Sequence, residues 1–353
     1  MMGQMVRRIG RMKVSVTLCV LNGELYLEEQ LRSIAQQTRV PDEVLIFDDG
    51  STDATLEIVR TVSTETGLYC PITINETRLG VEQNFSRAMG QASGDVIFFC
   101  DCDDVWGPEK VEKMIAPFQD DPDVSLVYSD GYIAGPNLEL SGHTLFNRRP
   151  HKQLADGDAR DIDQRLRYGQ APGIKASAMA FSARVRDLAG PIPLGVVHDS
   201  WIAFFGYALG KVIAIPEPLY YYRRHEHTWG DSSTNDLIPG LIRKPRPNLE
   251  TEPRDKAVFA QCAYDRCVAL EHEMGGNNDF PPRFDELKVA CQESIRTLQA
   301  RKAVTSSSGR LTRLVKGVLY FLKGDYGAIK NPQARFHAFC QDIGVARRKK
   351  VIN

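Results

Sequence analysis

The stretch Val96-Ile97-Phe98-Phe99-Cys100-Asp101-Cys102-Asp103-Asp104 decides the fold. A short unbroken apolar run ending in a polar turn reads as a strand buried on both faces. Such strands belong to parallel sheets covered by helices. In sheets of that kind ligands bind beyond the carboxyl ends of the strands. The acidic turn Asp101-Cys102-Asp103-Asp104 therefore falls where chemistry is expected.

Working outward, the first 135 residues alternate short apolar runs with helix-period segments, which is the pattern of βαβ units. Val14–Leu21 reads as the first strand and breaks at Asn22-Gly23. Leu27, Leu31, Ile34 and Ala35 then mark one helix face. Pro41-Asp42 closes that unit, and Glu43–Phe47 is a second strand running into Asp48-Asp49-Gly50-Ser51. Leu56, Val59 and Val62 mark the next helix, and Pro71–Asn75 a third strand. Val81, Phe85, Ala88, Met89 and Ala92 mark another helix ahead of the quoted strand, and Ser125–Ile133 reads as a fifth strand.

Beyond this half the chain changes character. Residues 136–172 are polar and irregular and read as loop. Apolar character returns at Ala176–Phe181, His198–Leu209 reads as a helix, and Val212–Ile215 and Leu219–Tyr222 read as two strands around Pro216 and Pro218. A proline-rich stretch over 236–255 reads as a linker or surface crossing, and the remainder is mostly helical in pattern.

Composition narrows the class. The chain has 353 residues, 42% hydrophobic and 25% charged, with a formal net charge of −1. That balance suits a globular protein and excludes a globally basic nucleic-acid binder. Its eight cysteines show no paired zinc spacing, and the size argues against a disulfide scaffold, so a reducing cytoplasm is the expected setting. Arg7, Arg8, Arg11 and Lys13 before an apolar run loosely mimic a signal peptide. The run carries Ser15 and Thr17 and lacks a small-residue cleavage site, so a buried strand is the better reading. No segment approaches the ~20 apolar residues of a spanning helix.

Two acidic clusters thus sit at equivalent strand ends, Asp48-Asp49 and Asp101 to Asp104. Gathered carboxylates repel one another unless a cation or a donor-rich ligand is present. Hard oxygen ligands suit Mg2+ or Mn2+ carrying a diphosphate. Either cluster alone would read as a turn or helix cap; two at matching positions favour a binding site.

These residues carry a family resemblance. Val14 to Glu24, Asp48-Asp49-Gly50-Ser51-Thr52-Asp53 and Asp101 to Trp106 resemble the family 2 glycosyltransferases of GT-A type. Arg78-Leu79-Gly80-Val81 with Asn84-Phe85, and Leu126 to Asp130, extend the match. His198-Asp199-Ser200-Trp201 through Pro218-Leu219 to Tyr222-Arg223-Arg224-His225 resembles the rhamnosyltransferase-like branch. The resemblance spans about 13–232. It implies a nucleotide-sugar half over 13–135, an acceptor half over 136–232, a linker over 233–255 and a helical C-terminal extension over 256–353. The implied fold is a Rossmann-like mixed sheet flanked by helices.

The resemblance also implies roles. Asp48 or Asp49 would accept the imide N–H of the base with Arg78 nearby, Asp101 would lie by the ribose or metal, and Asp103 would ligate Mg2+ or Mn2+. Asp199 matches the general base, and Arg223, Arg224 and His225 match the segment that meets the diphosphate. Leu21 stands where an aromatic usually precedes the Asn-Gly, which weakens base stacking there. The implied partners are a dTDP-, UDP- or GDP-sugar and a saccharide or lipid-linked saccharide acceptor, as in bacterial surface polysaccharide synthesis. Rhamnose is the suggested sugar. One base and no carboxylate nucleophile point to a single displacement with inversion.

Plainer readings stand beside these. Asp199 at a helix start is commonly a cap, His225 can be a surface histidine, and Trp106 and Trp201 are packing anchors. A non-catalytic binder of nucleotide-sugar or carbohydrate with the same fold is the alternative function. A nucleotidyltransferase or a dinucleotide dehydrogenase would carry a glycine-rich loop after the first strand, and Asn22-Gly23-Glu24 is not one. In the tail, Leu311, Leu314, Val315, Val318, Leu319 and Leu322 recur at helical spacing among Arg310, Arg313, Lys316 and Lys323, with Arg347 to Lys350 beyond. A helix of that kind either lies on an anionic membrane surface or packs on the domain. The expected location is therefore the cytoplasm, with peripheral contact on the inner face of the membrane in the first case.

Overall fold

Strand β1 (Val14–Val20) lies between two parallel neighbours, β2 (Glu43–Asp48) and β4 (Val96–Asp101). The register pairs Val20 with Asp48 and Cys19 with Asp101, so both acidic clusters leave the sheet at one edge. This computed structural model describes residues 11–147, 174–226, 228, 256–273, 284–306, 316 and 319. Strand β3 (Ile72–Ile74) is parallel to β2 on its outer side. On the other side of β4, the sheet turns antiparallel through β8 (Met179–Ser182) and then β6 (Val124–Ala134). Strand β9 (Lys211–Arg223) runs parallel to β6, and β5 (Val105–Trp106) pairs antiparallel with the end of β9. Strand β7 (Leu140–Thr144) pairs with the far half of β6.

Helices cover both faces, which is why the central strands read as continuous apolar runs. One face packs Val16, Leu18 and Phe98 against α1 (Leu27–Ala35), α2 (Thr55–Thr66) and α4 (Lys110–Asp120). The other packs Phe47, Ile97 and Phe99 against α3 (Val81–Gln91), α5 (Ala183–Ala189) and α6 (His198–Leu209). Leu27, Leu31 and Ile34 of α1, spaced four and three apart, are fully buried. Truncating one such side chain to alanine costs about 2–5 kcal/mol. Two C-terminal helices, α7 (Lys256–Glu273) and α8 (Phe284–Thr305), extend the second core, where Phe259 lies edge-on to Trp201 and Phe204. Trp201 is the packing anchor its sequence context suggested. The mixed sheet, flanking helices and helical C-terminal region follow the expected fold class.

Local departures have physical causes. The two strands expected at 212–215 and 219–222 are one strand. Its register jumps from Ser129–Ile215 to Asp130–Pro218, leaving Pro216 in a bulge where a residue without an N–H breaks no ladder. Helix α4 was not marked in the sequence, where Pro117 interrupts the stretch. The proline falls in the last turn, and the helix ends at Asp120. Strand β7 lies within the segment read as loop; it is mostly exposed, so burial left no apolar pattern to find. The expected linker over 233–255, and the tail helix apart from Lys316 and Leu319, lie outside the described residues. No helix among the described residues is long and apolar enough to cross a membrane.

Candidate functional site

The loops after β1, β2 and β3 are stitched to one another. Asn22 sits in the left-handed region at φ 52°, and its side-chain oxygen accepts the Thr52 N–H at 2.9 Å while its own N–H donates to Ser51 Oγ at 2.8 Å. Gly23 donates to Thr55 Oγ1 at 2.8 Å, and a Cβ there would lie 2.7 Å from Val20 Cγ2. Close approach, not turn conformation, requires this glycine.

Asp48 and Asp49 serve the same stitching. Asp48 Oδ2 accepts the N–H groups of Gly50 and Ser51 at 3.1 and 2.9 Å, while its Oδ1 is buried with no hydrogen-bond partner. Asp49 accepts from Asn75 Nδ2 at 2.8 Å, Leu79 N–H at 2.7 Å and Gly80 N–H at 2.9 Å. Asn84 receives Asn75 at 2.8 Å and donates to the Phe47 carbonyl at 2.9 Å, so the Arg78–Asn84 motif is the scaffold of Asp49. Arg78 itself is exposed on that loop and makes no hydrogen bond or ion pair with a described residue.

The turn after β4 is held differently. Ser177, from a single 3-10 turn before β8, donates its hydroxyl to Asp101 Oδ2. Burial, then the charges of Asp103 and of Asp199, push the Asp101 carboxyl up to about 6, against the Ser177 bond that pulls it down. Asp103 Oδ2 lies 3.0 Å from His225 Nε2. Asp104 is buried. Its Oδ1 accepts the Arg223 backbone N–H at 3.0 Å, its Oδ2 has no hydrogen-bond partner, and burial with the charges of Asp103 and Asp101 raises its carboxyl well above the usual range.

The end of β9 braces this turn. The Arg223 guanidinium is buried and donates to the Asp103 carbonyl at 2.7 Å, to the Pro136 carbonyl and to Glu29 Oε2, and it lies 4.6 Å from the Tyr26 ring centre. The His225 ring sits 4.7 Å from that of Tyr26. Arg224 donates its N–H to the Ala134 carbonyl at 2.8 Å and places its guanidinium 3.1 Å from the Tyr222 hydroxyl.

Asp199 stands in the first turn of α6, where its Oδ1 accepts from Ser200 Oγ at 2.9 Å. Next to it, the His198 ring is stacked on Phe85, 4.3 Å between centres, and edge-on to Phe99. That packing fixes the start of α6 over the end of β4, and the charge of Asp199 reaches Asp101.

Asp103 and His225 are thus in contact beside Asp101, the charge of Asp199 reaches Asp101, and Asp48 and Asp49 share the same sheet edge two strands away. Arg78 stays apart on its loop. The carboxylate oxygens are hard donors suited to Mg2+ or Mn2+, and the crowding that raises Asp101 is what a cation would relieve. Among the described residues no three His, Cys, Asp or Glu side chains converge to hold an ion unaided. Sequence reading passed over Tyr26, Glu29, Asn75, Ser177 and Lys110. Lys110 left a signal: a lysine four residues before Met114 and eight before Phe118, in the row that faces the core. Its ammonium is fully buried, and burial brings it down to about 7 against the pull of Asp104.

Comparisons with known proteins bear on this geometry. Residues 15–177 match the family model "Glycosyl transferase family 2". The chain is 26% identical over 235 residues to an uncharacterized glycosyltransferase of Nostoc sp., covering 64% of this chain and 70% of that one. It is 29% identical over 234 residues to an uncharacterized protein of Mycobacterium tuberculosis, covering 63% of this chain and 62% of that one. The chain therefore spans under two thirds of the mycobacterial relative's length. Among solved structures, residues 1–349 of Staphylococcus aureus TarS with UDP-GlcNAc superpose with a TM-score of 0.52 at 18% identity, covering 96% of this chain and 93% of that one. At that identity the likeness concerns the fold.

Proposed function

Residues 15–177 form a family 2 glycosyltransferase domain, and from that premise we propose that the chain moves a sugar from a nucleoside diphosphate donor to a saccharide or lipid-linked saccharide acceptor, with inversion. The observation that carries the reading is the acidic turn at the carboxyl end of β4, where Ser177 holds the Asp101 carboxyl, His225 lies 3.0 Å from Asp103, and the first turn of α6 brings the charge of Asp199 near. Carboxylates gathered at that edge make sense when a cation, a diphosphate and an acceptor hydroxyl share the space.

In this reading Asp48 and Asp49 hold the base-side loops, and Asp49 or the buried Oδ1 of Asp48 meets the imide, with Arg78 swinging in from its exposed loop. Asp103, with Asp101 beside it, would hold Mg2+ or Mn2+, which when bound supplies positive charge to the departing diphosphate. An ion of this kind commonly takes one or two carboxylates and completes its shell with phosphate oxygens and water. Arg223 acts from behind by holding the Asp103 carbonyl, while Arg224 supplies positive charge and His225 a ring nitrogen at the diphosphate. Asp199 takes the proton of the acceptor hydroxyl as that oxygen attacks the anomeric carbon from the side opposite the leaving group. The bond from that carbon to the diphosphate breaks in the same step.

The motif set around Asp199 and His225 supports a deoxyhexose donor such as dTDP-rhamnose and a role in bacterial surface polysaccharide synthesis. TarS, solved with UDP-GlcNAc, makes UDP the second base to try. A thermal-shift panel of dTDP, UDP and GDP with and without Mn2+ tests the donor, since a ligand of the native state raises its stability by mass action. No stabilisation by any of the three would overturn the reading. The basic tail over 310–323 either meets an anionic membrane surface on the cytoplasmic side or packs on the domain. Liposome flotation that is unchanged by truncation after residue 305 would reject the membrane contact.

A further inference from the structure

Lys110, the first residue of α4, is 0% exposed. Its Nζ lies 4.2 Å from the ring centre of Tyr220 and 5.0 Å from that of Trp106, and it donates to the Ser177 carbonyl at 2.7 Å. Burying an ammonium is costly unless partners compensate, and core positions rarely keep one. The rest of this helix face, Val111, Met114, Ile115 and Phe118, is apolar, so a methionine or leucine would serve packing better. The surroundings are polar for a core. Asp104 Oδ2, Trp106 Nε1 and the Tyr220 hydroxyl are buried beside it without hydrogen-bond partners.

Ser177 links this lysine to the site. It is also 0% exposed; its carbonyl receives Lys110, and its hydroxyl donates to Asp101 Oδ2. We propose that Lys110 and Ser177 are positioning residues for the donor site: the lysine fixes the Ser177 backbone, and the serine hydroxyl fixes the Asp101 carboxylate. Both amine and ammonium donate hydrogen bonds, so the link holds in either protonation state. Two aromatic faces favour the charged form. Both act through the Asp101 carboxylate. The inference rests on the assignment of the β4 turn to a nucleotide and its ion.

The test uses the full chain and titration calorimetry with dTDP, UDP and GDP, each with and without Mn2+, alongside melting temperatures. Partners behind a metal site typically set about 10–100-fold in metal affinity or activity. Ser177→Ala and Lys110→Met are each expected to weaken Mn2+-dependent nucleotide binding by about that factor and to raise the Mn2+ concentration needed. Metal-free binding should move little, and Ser177→Ala should melt close to wild type. Because both act through one link, the double variant should be no weaker than the worse single one. Lys110→Gln keeps an N–H donor and should restore most of the loss, which a purely structural lysine would not require. If Lys110→Met fails to fold, Ser177→Ala and Lys110→Gln decide the matter. Wild-type binding by Ser177→Ala, or losses that add in the double variant, would overturn the proposal. Wild-type chain that binds none of the three nucleotides would instead overturn the donor-site reading, and this inference with it.

Discussion

Asp49 and Asp103 sit at the same edge of one sheet, yet the fold treats them in opposite ways. Asp49 receives three N–H donors, two of them backbone. Asp103 receives one ring nitrogen and shares its turn with two carboxyls that burial and mutual repulsion push upward. A carboxylate fed by N–H groups has its charge compensated on folding. A cluster left short of donors stores repulsion that a bound cation removes. In the proposed function the β2 side of this edge is therefore a shelf, and the β4 side is prepared for incoming positive charge.

The sharpest test of the prepared side is Asp199→Asn, which keeps size and hydrogen bonding. Proton removal by a placed carboxylate typically gives about 10²–10⁴-fold in rate, and transfer should fall by that factor while the nucleotide Kd stays within a few-fold. A parallel collapse of Kd would make Asp199 a donor-site residue; no change in either would move the base elsewhere.

Next in size is Asp103→Ala. Mn2+-dependent nucleotide binding should fall beyond the roughly 100-fold that outer partners command, and the melting temperature should hold or rise, because the change relieves repulsion. Calorimetry with an unchanged Kd would remove Asp103 from the site.

On the shelf the signs reverse. Asp49→Ala removes the acceptor of the part-buried Leu79 and Gly80 N–H groups and of one buried Asn75 N–H, and a buried donor left unpaired costs about 1–3 kcal/mol. Chemical denaturation should show a loss of about 1–3 kcal/mol. If Asp49→Ala melts like wild type, the contrast between the two clusters is wrong. The smallest expected effect is Ser51→Ala, which removes one bond from Asn22. It should cost about 1 kcal/mol and leave the Mn2+ dependence of binding unchanged.

The two clusters also differ in how far they could be read from sequence. Strand ends and helix faces were legible because buried periodicity writes itself into residue type: Val14 to Val20, Glu43 to Asp48 and Val96 to Asp101 all form where apolar runs predict. The positions of Asp48, Asp49, Asp101, Asp103 and Asp199 were equally visible, being carboxylates at strand ends and at a helix start. What each carboxylate bonds to was not visible. Asn75, Ser177 and Glu29 are ordinary polar residues far along the chain from the groups they meet, and only the register of the sheet brings them there. Arg223 is the clearest case. It reads as a phosphate ligand, yet its guanidinium is given to Asp103, Pro136 and Glu29. Lys110 was passed over with its helix, although a lysine in an apolar row is a signal once that row is drawn.

The pairing of Val105 with Tyr221 and of Trp106 with Tyr220 gives the acidic turn a property that no single residue has. The chain leaves the sheet at Asp101 and is back in it at Val105, so only Cys102, Asp103 and Asp104 lie between two anchored strands. An insertion or deletion there cannot be absorbed locally. It would turn Val105 and Trp106 to the wrong face or slide β5 along β9. The loops after β1, β2 and β3 are held instead by side-chain hydrogen bonds between them. The length of this one is set by strand register, so the spacing of Asp101 and Asp103 is inherited from the sheet.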